Sequence, residues 1–392
     1  MAERLKTLLL DANGSGIKTL GFTTLRGALG LDENSTLPFG LHRNRTIHGR
    51  LLARQYNVYS FIDDWREAFV QSPRLAVTAC DINDYFGCRR QLKRIRDYDL
   101  IVLLHSATGQ HMDALLAAEA AYQNRNGRMV VFFSNEYEFM EKKAEFINST
   151  GTEFVCTQLP LDVASWMYDY PSAQLVATPH ALNPRLYHDN QADRDIDVGF
   201  IGSLYERQIG DWERTNLIMY FNDSGAAHNL NCDIRLRNVP RQDWAAFLNR
   251  CHGIVGAESG TYYLDCKGEA MDMVRRMIRR NPDIGFDDIW TPELTSGREF
   301  RAAKAISSRH FEPIGTKTCQ ILVEGDYNGI LKAGDHYIAV KKDLSDIDDA
   351  IEQFKDKSHR VRIAQQAYDF VINNHTYDHR VASLLDRVIG VD

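Results

Sequence analysis

No stretch of this 392-residue chain is apolar for long enough to cross a bilayer or to form the core of a secretory leader. The opening residues, MAERLKTLLLDANGSG, hold only a very short apolar run before Asp11. The seven cysteines, at 80, 88, 156, 232, 251, 266 and 319, are odd in number and include no C-x-x-C pair. That pattern argues against a disulfide framework and fits reduced thiols in a cytoplasmic protein. Excess positive charge is missing as well: the formal net charge is −7, so nothing draws the whole molecule to nucleic acid or anionic lipid. Internal repeats and low-complexity segments are absent, and no histidine pair has H-x-x-x-H spacing beside other ligands. The glycine-containing stretch GSGIKT at 14–19 lacks the third glycine of a dinucleotide fingerprint and the spacing of a P-loop, so it is a weak phosphate site.

The composition, 44% hydrophobic and 25% charged, suffices for two α/β domains, each with its own core. Apolar runs at 6–10, 56–61, 75–82, 100–105, 129–134, 154–157 and 175–178 read as strands, with helical periodicity between them, for instance over 112–123. Alternation of this kind predicts a parallel sheet covered on both faces. The polar segment 183–195 interrupts the pattern, which places a domain boundary near 185, with domains at 1–185 and 186–392. Beyond it come a strand at 196–201, then Gly202 and Ser203 with a helix containing Arg207. A strand at 253–257 runs into Glu258, Ser259 and Gly260, and helices follow at about 345–356, 358–374 and 378–390.

The stretch from 306 to 343 is the part the rest of the chain is arranged to present. Residues 306–308 end a helical run, and Ser308 caps a short helix that holds Arg309 and Glu312. A buried strand over 319–323 and a turn at Gly325, Asn328 and Gly329 follow. Unpaired N–H groups at a helix start, with an arginine beside a glutamate, suit an anion and a sugar hydroxyl together, the chemistry of a nucleoside diphosphate.

The pattern R-x-F-E followed by G-T-x-T and a strand resembles the donor half of group-1-type glycosyltransferases of the GT-B fold. DVGFIGSLYERQ at 197–208 resembles the entry to that donor domain. NEYEFMEKK, CTQLPLD and TPHALNP resemble the acceptor half of related bacterial enzymes, and ESGTYYLDCKGE, EGDYNGI and HYIAVKKD resemble the same group. The likeness runs from about residue 129 onward. It implies two Rossmann-like domains facing each other across a cleft, and sugar transfer from a nucleoside-diphosphate sugar to an acceptor hydroxyl. Glu312 would bind the nucleotide ribose, with Gly202, Ser203, Arg207, Glu258, Ser259, Gly260, Ser308, Arg309, Thr316, Tyr327 and Asn328 around the donor. The family's earlier glutamate, eight positions before, is Lys304 here.

Asp11, His105 and Glu136 each end an apolar run, and one of them is expected to serve as the base that deprotonates the acceptor. Against each stands its reading as a cap or a buried hydrogen-bonded residue, just as Arg309 and Glu312 alone would be only a surface ion pair. None of the D-x-D pairs, at 97–99, 195–197 and 346–348, sits where a metal-binding loop would follow a strand, so no metal or other cofactor is expected beyond the donor itself. The dense basic run at 275–280 makes one positive helix face, most simply a solvated one. A glycan is thus the expected acceptor, with a modified DNA base as the alternative. A non-catalytic sugar-nucleotide binder and an epimerase are rivals that share the fold.

Overall fold

The computed structural model describes residues 3–12, 60–82, 84–109, 112–133, 135–168 and 173–390. Two compact units make up the chain. One comprises Met1–Thr157, Tyr168–Val176 and Val381–Asp392; the other comprises Gln158–Met167 and Ala177–Arg380.

The first unit is built on β1 (Leu5–Asp11), β2 (Leu75–Asp81), β3 (Leu100–Leu103), β4 (Arg128–Phe132), β5 (Phe154–Thr157) and β6 (Gln174–Ala177), in the order β2-β1-β3-β4-β5-β6. β1 pairs in parallel with both β2 and β3, and the parallel ladder continues through β4 to β5. Leu8, Leu9, Leu10 and all of β3 are buried, as a sheet covered on both faces requires. The helix Ser60–Gln71 docks Trp65 and Phe69 onto Phe132, with ring centroids 4.8 and 5.9 Å apart. Burial of each such ring contributes roughly 1.5–3 kcal/mol.

The second unit repeats the plan with β7 (Ile196–Ile201), β8 (Cys232–Arg235), β9 (Cys251–Gly256), β12 (Cys319–Val323) and β13 (Ile338–Val340), ordered β13-β12-β9-β7-β8 and parallel throughout. Between β9 and β12 lies an antiparallel pair, β10 (Ser259–Leu264) and β11 (Arg301–Ala305). It encloses the amphipathic helix Glu269–Arg280, whose Val274 packs on Ile289 and Leu294. Gly260 has φ +102°, and a β-carbon there would meet the Ala303 carbonyl at 1.9 Å, so only glycine lets the two strands approach. Helices Ile347–Lys355, Lys357–Asn374 and Tyr377–Ile389 follow, close to the expected spans, and the last of them from Val381 on belongs to the first unit. Asp356 caps the second of them, accepting from Ser358 N and His359 N at 2.8 and 3.1 Å.

Four local expectations change. The run before Ser308 is strand β11, not a helix, because pairing with β10 outweighs the helix preference of its alanines. Ser307, in an extended conformation, is the N-cap, and Ser308 is the first helical residue. Residues 112–123 form two short helices, Met112–Leu116 and Glu119–Gln123. Of the strand expected over 56–61, Ser60 and Phe61 open a helix, and 56–59 lie outside the described residues, as does the 14–19 stretch. Among the described residues no helix is long and apolar enough to cross a membrane.

Candidate functional site

In each parallel sheet the strand order reverses beside the first strand of its unit, and the carboxyl ends of the two strands flanking that point are where open α/β sheets gather ligands. In the second unit these are β7, which runs into Gly202 and Ser203, and β9, which runs into Ala257 and Glu258. The helix Ser308–Gly315 starts at the same edge, since His310 in its first turn bonds through Nε2 to the Ala257 carbonyl at 3.0 Å.

Arg309 lies at the centre. Its guanidinium donates to the Ile201 carbonyl and lies over the Trp244 ring, 4.1 Å from the centroid. Its Nη1 stands 3.8 Å from Glu312 Oε2, one helical turn on. A second guanidinium, that of Arg214, donates to the Ser203 carbonyl at 3.0 Å and lies over the Tyr205 ring at 4.5 Å. A β-carbon at Gly202 would stand 3.0 Å from Phe200 Cζ, 3.3 Å from Arg309 Nη2 and 3.5 Å from Arg214 Nη2, so both cations and the Phe200 ring approach this glycine closely.

Glu312 is 2% exposed, whereas Arg309 is 39% exposed. Trp244 Nε1 donates to Glu312 Oε2 at 2.7 Å. Burial pushes the Glu312 carboxyl up from the ordinary 4.5, opposed by Arg309, Trp244, Ser308 and Arg241. Glu258 is likewise pushed up by burial; its Oε1 accepts the Tyr327 N–H at 2.7 Å, and Lys304 also favours its charge. Burial lowers His310 to about 4, so its imidazole is neutral at pH 7. With Nε2 on a carbonyl, Nδ1 accepts the Ser307 N–H at 3.0 Å and closes the cap of the helix.

Tyr327 and Asn328 hold the turn after β12 in left-handed conformations, φ 48° and 55°, strained for side-chain-bearing residues. Glu258 secures Tyr327 N, and Asn328 accepts from Ile306 N at 2.7 Å and donates to the Gln158 carbonyl at 3.1 Å. Ser259 and Gly260 open β10 and do not end β9.

Two of the expected residues lie elsewhere. Arg207 donates to the carbonyls of Pro282 and Ile284 at 2.9 and 3.0 Å. Thr316, buried at the far end of the Ser308–Gly315 helix, bonds the Pro313 carbonyl and Thr318. Lys304 forms a buried ion pair with Asp211, and its ammonium lies 4.9 Å from the Tyr262 centroid.

Sequence reasoning missed Arg214, Trp244 and the Lys304–Asp211 pair. Trp244 and Glu312 are 68 residues apart and Lys304 and Asp211 are 93 apart, so no local spacing carries the signal. His310 was readable: a side chain at the third helical position that reaches back to the cap is a capping-box arrangement with histidine in place of Glu or Gln.

In the first unit the reversal falls between β1 and β3, and it brings Asp11 and His105 to one edge, where Ala12 N donates to Ser106 Oγ at 2.9 Å. Asp11 is buried against Arg66 Nε at 2.9 Å. His105 is buried among Phe61, Trp65 and Phe132, with centroids 5.6, 5.9 and 5.1 Å away. Glu136, beyond β4, accepts from Thr157 Oγ1 and Tyr168 OH, each at 2.6 Å.

Residues 289–386 match a family model described as glycosyl transferase-like. None of the curated proteins matches the chain. Among solved structures, Anabaena HepE in complex with UDP and glucose is similar at a TM-score of 0.50 with 10% identity, covering 98% of this chain and 100% of that one. The sucrose-phosphate synthase of Thermosynechococcus elongatus gives 0.49 and 9%, covering 99% and 100%. The T4 phage BGT in complex with UDP-glucose gives 0.48 and 10%, again covering 99% and 100%. The chain thus has the GT-B glycosyltransferase fold, and its residues 289–386 are glycosyl transferase-like in sequence.

Proposed function

We propose that the protein transfers a sugar from a nucleoside-diphosphate sugar to an acceptor hydroxyl, with the donor held at the carboxyl edge of the second unit's sheet. The observation that carries this reading is the convergence of Arg214 and Arg309 on Gly202, with the Glu312 carboxylate beside Arg309. Two guanidiniums beside one glycine suit a diphosphate, and a buried carboxylate suits the ribose hydroxyls. HepE, whose structure holds UDP and glucose, is similar in fold.

In the reaction the bond from the anomeric carbon to the diphosphate oxygen breaks, and its electron pair stays on the leaving group. Arg214 and Arg309 stabilise that charge. The acceptor oxygen bonds to the anomeric carbon and gives up its proton, for which we assign a base at the carboxyl edge of the first unit's sheet, Asp11 or His105. Glu136, beyond β4, accepts from Thr157 and Tyr168 and is the third candidate. With arginines on the leaving group the reaction needs no metal, and Asp195, in one of the D-x-D pairs, is taken up bidentately by Arg250 at 2.8 and 2.5 Å. We favour a glycan over DNA as acceptor: on the basic helix Arg275 is paired with Asp272 at 3.1 Å, and Arg298 pairs with Glu269 at 2.9 Å. Release of free nucleoside diphosphate that depends on added acceptor, with the sugar recovered on that acceptor, is the result expected. Release at the same rate without acceptor would refute transfer.

A further inference from the structure

Trp244 belongs to none of the motifs, yet its indole N–H donates to Glu312 Oε2 at 2.7 Å. Its helix, Arg241–Arg250, packs beside β7 and β9, and the indole is fixed there. Phe247 lies near-parallel to it, 5.8 Å between centroids and 21° between planes. The Arg309 guanidinium lies over the ring at 4.1 Å. An indole has one N–H, a donor only, and its direction lies in the ring plane. A ring held in this way therefore defines where Glu312 Oε2 must be.

We infer that Trp244 is a positioning residue for the nucleotide: by taking Oε2 it turns Oε1 and the remaining lone pairs of Glu312 towards the ribose diol. The inference rests on the proposed assignment of Glu312 to the donor's ribose. Glutamate has three rotatable bonds, and a carboxylate free to swing would lose entropy on meeting the ribose. The N–H also favours the charged form of a carboxyl that burial pushes towards neutrality, and only the charged form accepts from both ribose hydroxyls. Trp244 and Arg309 act on the same oxygen from two directions, so the loss of either is expected to loosen it.

The ribose hydroxyls themselves make the test. UDP, GDP, ADP and CDP are titrated calorimetrically into the full chain, and the tightest binder is compared with its 2′,3′-dideoxy analogue. The wild type is expected to prefer the ribo form by about tenfold or more. Trp244→Phe keeps a ring beneath Arg309 and removes the N–H. It should narrow that preference by roughly threefold to tenfold while the dideoxy affinity stays put, since one charged hydrogen bond is being disordered. In Glu312→Gln the preference should largely vanish, and adding Trp244→Phe should change it no further. Equal weakening of both nucleotides in Trp244→Phe, with the preference intact, would overturn the positioning role and leave the donor assignment standing. A wild type that binds without preferring the ribo form would overturn the Glu312 assignment itself, and binding of none of the four would refute the donor reading. Replacing Trp244 by benzothienylalanine, which keeps the fused ring and lacks only the N–H, gives the same comparison should Trp244→Phe fail to fold.

Discussion

Lys304 stands where the resembled family carries a glutamate, and the structure gives it a partner that a glutamate could not have. Its side chain is 8% exposed, and that of Asp211, to which it is ion-paired, is 1% exposed. Lys304→Met keeps most of the aliphatic stem and deletes the charge, leaving Asp211 buried without its cation. Removing one member of a buried pair costs about 3–5 kcal/mol, because the survivor keeps its desolvation penalty. Loss of the ammonium over Tyr262 adds about 0.5–1 kcal/mol. For a unit of this size each kcal/mol moves the melting temperature by about 2–4 °C, so a fall of roughly 7–24 °C is expected at pH 7. Lys304→Glu, which recreates the family residue, should be worse, since two carboxylates would share one buried site. The charge swap Asp211→Lys with Lys304→Glu should recover most of the loss, and Asp211→Leu with Lys304→Met should cost far less than the two single changes summed. Thermal melts of the set at pH 7 decide the matter. A Lys304→Met protein melting within about 2 °C of wild type, or double variants no better than the singles, would refute the reasoning.

Glu312→Gln should lower nucleoside-diphosphate affinity roughly tenfold or more while the unliganded melting temperature moves little, because Gln still accepts from Trp244 and the cost of burying a charge disappears; a large drop in melting temperature would mark Glu312 as a structural residue instead. The raised pKa of Glu312 sets opposite trends as pH falls towards the ordinary 4.5: nucleotide affinity should drop as the carboxylate takes its proton, and unliganded stability should gain from Glu312 and Glu258, since the folded state there binds more protons than the unfolded one. Affinity that is flat through that window while melts respond would separate Glu312 from the ligand. Turnover should persist in excess EDTA, and complete loss restored by Mg²⁺ or Mn²⁺ would show that a metal, not the arginines, carries the leaving diphosphate. Reversing Arg279 and Arg280, both exposed on the basic helix, should change turnover on a glycan acceptor little; a steep salt dependence of binding that disappears in that variant would instead establish a DNA acceptor.

Local order was legible in the sequence because it follows from periodicity and from residues near one another. Apolar runs such as 196–201 and 319–323 are buried strands, and the turn chemistry around Gly325 and Gly329 marks where a strand ends. The Arg309–Glu312 spacing places both side chains on one helix face, a consequence of the helical repeat alone. What the sequence by itself determined was thus the α/β class, most strands, the three closing helices and the stretch that carries the candidate donor residues. Strand order lay beyond it, and with order went partnership. Only the tertiary structure set β7 beside β9, so that Arg214 and Arg309 meet at Gly202 and Arg207 turns to the carbonyls of Pro282 and Ile284. Pairing with β10 made a strand of an alanine-rich run that favours helix by itself. It also put Lys304 against Asp211, just as the seating of Trp244 beside the sheet put its N–H on Glu312. The reason is physical: hydrogen bonds and ion pairs between residues 68 and 93 positions apart depend on how the sheet is assembled, and no interaction along the chain records that.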